Sequence, residues 1–116
     1  MRIGFVERTG PYSSQNIDTV YELSKRAIAK GHQVDIFLYE DGTINLNKNI
    51  KSPGERNIAD RMIELIGMGV KVSGCGLCAK FRGIGKDVAI DGTKIAGMAV
   101  LASMVENCDR IITFSF

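Results

Sequence analysis

The stretch QNIDTVYELSKRAIAKGHQVDIFLY, residues 15–39, changes its pattern at Gly31, and that change decides the fold class. From residue 15 to residue 30 the apolar side chains recur at helical spacing. Residues 33–39 then form a short run rich in β-branched and aromatic side chains, which predicts a strand. Gly31 suits the position just after a helix, where a positive φ is often needed. The stretch therefore predicts a helix that leads directly into a strand.

The same alternation continues on both sides of this unit. We predict a strand at 2–6, a second helix at 54–67, a third strand at 70–74, a short helix at 77–81, a last helix at 92–106 and a closing strand at 109–114. Alternating strands and helices indicate parallel pairing with right-handed crossovers. We expect a single α/β domain over residues 1–116, with three layers and a mainly parallel sheet of four to five strands flanked by helices. The side chains of the last helix predicted to face inward are Ile95, Met98, Ala99, Ala102 and Val105.

Composition restricts the class of protein. A chain of 116 residues with 45% apolar side chains can build one hydrophobic core. Three cysteines are an odd number, which argues against a secreted disulfide framework. No apolar run matches a signal peptide or approaches the ~18 residues of a membrane span. We expect a cytoplasmic protein with reduced thiols and no membrane partner, and a net charge of +2 does not suggest a nucleic-acid partner.

The segment GCGLCAKFRG, residues 74–83, follows the third strand and carries two of the three cysteines. Ligands in such folds collect beyond the carboxyl ends of the strands, so we expect this segment to meet the loops at 9–16 and 39–47. Cys75 precedes a short helix whose free N–H groups favour a thiolate, and Arg82 could add positive charge. Cys75 is therefore a candidate nucleophile, and a buried structural cysteine is the alternative.

Cys78 has three interpretations. A zinc site needs about four ligands, and the other candidates, Cys108 and His32, are predicted at the opposite, amino end of the sheet. We therefore predict no metal. The spacing C-x-x-C also suits a thioredoxin-like dithiol of Cys75 and Cys78, and this interpretation stays open beside a structural role for Cys78.

The loop TGPYSSQN, residues 9–16, has one glycine and no lysine, so it matches neither common phosphate-binding motif. Its polar side chains precede a helix. Ser14 and Gln15 could hold an anionic sulfur species there, while Ser13 or Ser14 could instead cap the helix.

Four blocks in order along the chain resemble the DsrE-like (DsrE/DsrF and TusD) sulfur-relay family. They are GPYSSQN at 10–16, GHQVDIFLYEDGTINLN at 31–47 with Tyr39, Gly42 and Asn45 in matching places, C-x6-R-G made by Cys75, Arg82 and Gly83, and IAGMAVLASMVENCDRIITF at 95–114. The resemblance implies a flavodoxin-like/DsrE-like fold and an active cysteine at Cys75 that accepts sulfur as a persulfide, with no cofactor or metal involved. Arg82 and Cys78 complete the candidate catalytic group. The candidate substrate-binding residues are Gly10, Ser14, Gln15 and Tyr39.

The resemblance also implies partners. Family members pass sulfur to small TusA-like or DsrC-like carrier proteins and assemble as homo- or hetero-oligomers, trimers or hexamers. Two features depart from TusD: Cys78 replaces a small apolar residue, and the segment between Gly83 and Thr93 is shorter, so the cover over the cysteine and the partner could differ. Two alternative functions remain: a non-catalytic regulatory subunit of a relay complex, and a dithiol redox protein.

Overall fold

A five-stranded parallel sheet forms the middle layer of the computed structural model, which describes residues 1–116. The strands are β1 (Arg2–Glu7), β2 (Gln33–Leu38), β3 (Lys71–Cys75), β4 (Lys94–Ala96) and β5 (Arg110–Phe114). They lie in the order β4-β3-β2-β1-β5, and every neighbouring pair is parallel. The predicted α/β fold with a parallel sheet is confirmed.

Helices cover both faces of the sheet. They are α1 (Asn16–Ala29), α2 (Ile58–Gly67), α3 (Gly76–Phe81) and α4 (Met98–Asn107), with a 3₁₀ helix at Glu40–Leu46. The chain moves outward from β1 to β4 and then returns to place β5 beside β1. Because crossovers are right-handed, this reversal puts α4 on the face opposite α1 and α2. None of the helices combines the length and the apolar character that a membrane span requires.

The two faces of the sheet are unequally covered. The face under α1 and α2 holds a core of 17 buried residues, whereas a cluster of three buried residues, Phe37, Cys75 and Met104, lies under α4. One ten-residue helix cannot cover five strands, so a groove of about 650 Å³ opens beside α4. Polar side chains from the amino ends of the strands line much of this groove, among them Arg2, Asp35, Lys71 and Lys94.

The last helix begins later than predicted. Lys94–Ala96 form the edge strand β4, paired in register with Ser73 to Cys75 of β3, so the predicted start of the helix at residue 92 is wrong. A strand of three residues is too short to show an alternating pattern. Gly97 then has an extended backbone, and α4 begins at Met98.

The buried face of α4 also differs from the prediction. Four of the residues expected to face inward are exposed: Met98, Ala99, Ala102 and Val105, which we call the outer face of α4. Ile95 is half-buried in β4, and Met104 is the buried residue of the helix. Val100 and Leu101 pack with it against the sheet. The helix is apolar on nearly all sides, so its periodicity did not specify which side is buried.

The structure differs from the prediction at two further places between β2 and β3. The helix α2 starts at Ile58, because residues 54–57 form an irregular segment in which Arg56 has a φ of 64°. Arg56 and Arg61 both bind the carboxylate of Asp18, at 2.5 and 2.6 Å, and so fasten this segment and α2 to α1. The sequence predicted a loop at 39–47, and the structure forms a 3₁₀ helix over Glu40–Leu46.

A short backbone bridge joins the end of the 3₁₀ helix to the segment that follows α3. The Lys48 N–H donates to the Val88 carbonyl at 2.9 Å, and the Ile90 N–H donates to the Leu46 carbonyl at 2.8 Å. Between them, Asn47 and Ala89 form an antiparallel bridge. We call these contacts the 46–90 bridge. It fixes the chain beyond the cysteine segment to the loop beyond β2.

Candidate functional site

Cys75 is the last residue of β3 and the N-cap of α3. Its Sγ accepts a hydrogen bond from the Cys78 N–H at 3.5 Å, as an N-cap acceptor does for the third helical residue. The residue is only 5% exposed and belongs to the cluster with Phe37 and Met104, against which Tyr39 packs. The sulfur therefore has a hydrogen-bond donor on one side and an apolar wall on the other.

Cys78 lies in the first turn of α3 and is half-buried. Burial raises the pKa of the Cys78 thiol, and its hydrogen bond to Cys75 raises that pKa further. The Glu40 backbone N–H and the Arg82 guanidinium act in the opposite direction and lower it. No disulfide is present, since all the cysteines are free thiols. Cys78 thus has a raised pKa and lies beside the sulfur of Cys75.

Arg82 ends α3 and connects it to the 3₁₀ helix. Its Nε donates to Oδ1 of Asp41 at 2.8 Å, and its Nη1 donates to the Cys78 carbonyl at 2.9 Å. The sequence suggested that Arg82 supplies positive charge to Cys75. In the structure its hydrogen bonds go to Asp41 and to the Cys78 backbone, so part of that charge is compensated by a carboxylate.

The loops after β1 and β2 pack on each other through contacts that require particular residues. A Cβ on Gly42 would lie 2.0 Å from the Glu7 carbonyl oxygen, so only glycine fits there. The Asn45 side-chain amide donates to the carbonyls of Thr9 and Gly42, at 3.1 and 2.9 Å. Tyr39 donates its N–H to the Glu7 carbonyl and places its ring 6.2 Å from that of Phe37. Of the predicted substrate-binding residues, Tyr39 is the one brought to the cysteine cluster.

The other three predicted substrate-binding residues lie in the loop after β1. Gly10 is buried near the Asp41 carbonyl. The Ser14 Oγ accepts the Asn16 N–H at 3.3 Å and lies 3.1 Å from the Thr9 hydroxyl. Gln15, not Ser13 or Ser14, is the exposed N-cap of α1 and makes no side-chain capping bond, while the Ser14 hydroxyl accepts the N–H of the first helical residue. These residues share the carboxyl edge with Cys75, but β2 separates their strand from β3.

Glu7 is a feature that the sequence reasoning missed. Its side chain is fully buried at the end of β1, and Oε1 accepts the Thr9 N–H and hydroxyl, both at 2.6 Å. Its Oε2 has no hydrogen-bond partner. Burial raises the pKa of Glu7, although the Thr9 hydrogen bonds lower it. An acidic residue directly after the apolar run RIGFV was the available signal.

A small polar pocket of about 250 Å³ opens at the same edge, where strand order reverses between β1 and β5. It is lined by Arg8, Thr9, Glu40, Asp41, Arg82, Ser115 and Phe116. The pocket reaches Arg82 and so approaches the cysteine segment, but neither Cys75 nor Cys78 lines it. The cysteines therefore lie beside the switch point of the sheet, not in it.

Cys108 and His32 lie at the amino end of the sheet, as the sequence predicted. Cys108 follows α4, with its Sγ 3.9 Å from Oδ2 of Asp35, and burial together with that carboxylate raises the pKa of Cys108. The His32 Nδ1 lies 2.9 Å from the amino group of Met1. No three side chains of the His, Cys, Asp and Glu types group closely enough to hold a metal ion.

The fold and the site together define a small parallel α/β thiol protein, with two adjacent sulfur atoms at the carboxyl edge of the sheet. Its sequence identifies the family. The chain belongs to the DsrE/DsrF-like family, whose model matches residues 1–114. The resemblance predicted from the four sequence blocks is therefore confirmed.

Individual relatives span nearly the whole chain. A protein of Methanopyrus kandleri is 33% identical and covers 90% of this chain and 86% of its own. The DsrE protein of Allochromatium vinosum is 30% identical over 98% of each chain, and the sulfurtransferase TusD of Erwinia tasmaniensis is 26% identical over 91% of this chain and 94% of its own. The crystal structure of Escherichia coli YchN superposes with a TM-score of 0.86 at 24% identity, covering 98% of this chain and 99% of that one. The family thus supports a role in sulfur relay.

Proposed function

We propose that the protein is a sulfur carrier that accepts sulfane sulfur as a persulfide on Cys75 and passes it to a small carrier protein. The observation that carries this proposal is the position of Cys75, whose sulfur ends a strand and accepts the Cys78 N–H in a chain related to TusD. The thiolate is both the nucleophile and the leaving group in sulfur exchange.

The exchange itself needs only thiols. The Cys75 thiolate attacks the outer sulfur of a donor persulfide, the donor S–S bond breaks, and the donor leaves as a thiol. A thiolate of the carrier protein then attacks the outer sulfur held on Cys75, and Cys75 leaves as a thiolate. No electron is gained or lost overall, because sulfur moves between equivalent positions. This is why we propose that no metal or cofactor takes part.

The helix α3 offers a docking surface for the carrier beside Cys75. Leu77 and Phe81 lie one helical turn apart, and they are 61% and 76% exposed. Large exposed apolar side chains close to a reactive group are typical of a protein-binding surface. We infer that a carrier of the TusA-like or DsrC-like kind contacts these two residues while its own thiol approaches Cys75.

The outer face of α4 supports assembly with further copies or with related subunits. Val105 is 60% exposed and Met98 is 47% exposed, with Ala99 and Ala102 between them. An apolar helix face open to water is unfavourable in an isolated chain and is relieved by burial against another subunit. We infer that the protein forms a trimer or a hexamer through this face.

Sulfur loading tests the proposal. The reduced protein is treated with glutathione persulfide without oxygen, and intact-mass spectrometry is recorded for the parent chain and for Cys75→Ser and Cys108→Ser. We expect the parent chain and Cys108→Ser to gain one sulfur atom and Cys75→Ser to gain none. Cys108→Ser is the matched control, since it removes a thiol at the opposite end of the sheet. Equal loading of Cys75→Ser and the parent chain would overturn the proposal.

A further inference from the structure

We propose that Cys78 is a second nucleophile of this site, which attacks the Cys75 persulfide and releases its outer sulfur as hydrosulfide. The inference rests on the proposed function, because it begins with a sulfur atom held on Cys75. It gives the protein two outcomes for bound sulfur: transfer to a docked carrier protein, or release as inorganic sulfide when no carrier is bound.

The geometry of α3 brings the two sulfur atoms together. Cys75 is the N-cap and Cys78 is the third residue of the helix, and the 3.5 Å contact from the Cys78 N–H to the Cys75 Sγ fixes this turn. Residues three apart on a helix are neighbours on the same side. Cysteines with this spacing at the start of a helix can form a disulfide with a change of side-chain rotamer. Both sulfurs are free, so neither has another covalent partner.

Burial favours the internal nucleophile over an external one. Cys75 is 5% exposed, and Phe37 and Met104 belong to its cluster, so an outside thiol reaches the outer sulfur of the persulfide more readily than the Cys75 Sγ itself. Cys78 is already in place. A nucleophile held next to its target reacts at a high effective concentration, independently of any docking event.

The groups around Cys78 suit this attack. Although burial and the neighbouring Cys75 raise the pKa of Cys78, the Glu40 backbone N–H and the Arg82 guanidinium lower it. Glu40 has a φ of 54°, a left-handed conformation that turns the chain away from β2 immediately after Tyr39. Both groups stabilise negative charge as it develops on the Cys78 sulfur.

The step balances without an outside reagent. The Cys78 sulfur bonds to the Cys75 Sγ, and the bond between Cys75 and its outer sulfur breaks. The electron pair of that bond leaves with the outer sulfur, which also takes the Cys78 proton and departs as hydrosulfide. Two thiol sulfurs are oxidised to one disulfide, and the sulfane sulfur is reduced by two electrons. A dithiol reductant then restores the two thiols.

Anaerobic release of hydrosulfide tests the inference. The parent chain and Cys78→Ser are loaded with glutathione persulfide and freed of excess donor, and then hydrosulfide and intact mass are followed over time. We expect the parent chain to lose its extra sulfur, release one hydrosulfide per chain and end two hydrogen atoms lighter than the reduced protein. Cys78→Ser should keep its extra sulfur and release hydrosulfide at least about tenfold more slowly. Cys108→Ser should behave as the parent chain does.

Two controls separate the outcomes. The parent chain kept without donor should stay reduced, and dithiothreitol should return the product to the reduced mass. Equal release from Cys78→Ser and the parent chain, or a parent chain that keeps its extra sulfur, would refute the role of Cys78 while leaving loading on Cys75 intact. Failure of the parent chain to load at all, or equal loading of Cys75→Ser, would instead remove the proposed function.

Discussion

At the scale of single residues, the site depends on side chains buried where water cannot solvate them. Cys75 could be located from the sequence at a strand end, because the apolar run and the glycines around it mark the boundary. Its near-complete burial could not, since the cover comes from Phe37 and Met104, which are far away in sequence. The buried carboxyl of Glu7 likewise depends on how the loop after β2 folds over it.

Glu7 makes stability depend on pH. Burial raises its pKa above the ordinary value of 4.5, so the folded state favours the protonated form. The stability that this form provides is complete below about 4.5 and is lost as the pH rises through the raised pKa. Glu7→Gln carries no charge at any pH. We therefore expect the free energy of unfolding of Glu7→Gln, relative to the parent chain, to increase from pH 4 to pH 8.

Urea unfolding across this range of pH measures the difference. Glu55 is exposed, so Glu55→Gln serves as the control and should keep a constant difference from the parent chain. Each unit by which the pKa of Glu7 is raised contributes about 1.4 kcal/mol. A Glu7→Gln difference that does not change with pH would show that the carboxyl is solvated in the folded protein.

At the scale of elements, sequence patterns indicate the buried side of a helix where that side is apolar and the opposite side is polar. The predicted second helix is present as α2, and its buried residues, Ile58, Ala59, Met62 and Leu65, lie along one side at helical spacing. The outer face of α4 was assigned inward because nearly every position of that helix is apolar. The strand β4 and the 3₁₀ helix were missed because each is held by contacts with β3 or with the loop after β1, not by a local repeat.

The helix α3 should act in transfer but not in loading. Phe81→Ala removes the most exposed side chain of the inferred docking surface, so we expect about tenfold slower transfer of sulfur from loaded Cys75 to a TusA-like carrier protein. Loading by glutathione persulfide should be unchanged, because a small donor does not need that surface. Single-turnover transfer, followed by the mass of the carrier, measures the effect.

Ile63 provides the matched control. It is an exposed apolar residue, 55% accessible, on α2 and outside the inferred docking surface on α3. Ile63→Ala should transfer sulfur as the parent chain does. If Phe81→Ala also transfers at the parent rate, the carrier docks elsewhere.

At the scale of the whole molecule, the two faces of the sheet differ in how completely they are covered. The 17-residue core under α1 and α2 provides most of the buried apolar surface, while the side of α4 leaves an apolar helix face and a polar groove open to solvent. An uneven distribution of this kind is typical of a subunit whose second side is completed by a neighbour.

Val105→Asp tests assembly through the outer face of α4. We expect the parent chain to sediment as several copies and Val105→Asp to sediment as a smaller species, because a carboxylate cannot be buried unpaired in an apolar contact. Leu23 is 39% exposed on α1, and Leu23→Asp should keep the parent mass. A monomeric parent chain, or an unchanged mass for Val105→Asp, would contradict assembly through α4.

The 46–90 bridge affects the rate at which a partner protein binds to the cysteine segment. The cysteine segment is continuous with β3 at one end, and beyond its other end the chain is fastened by the hydrogen bonds of Lys48 and Ile90. A segment restrained on both sides has few accessible conformations before a partner binds, so little conformational entropy is lost on binding. The rate of association with a carrier protein should then be limited by diffusion and orientation. Any slow conformational change should occur in the carrier protein.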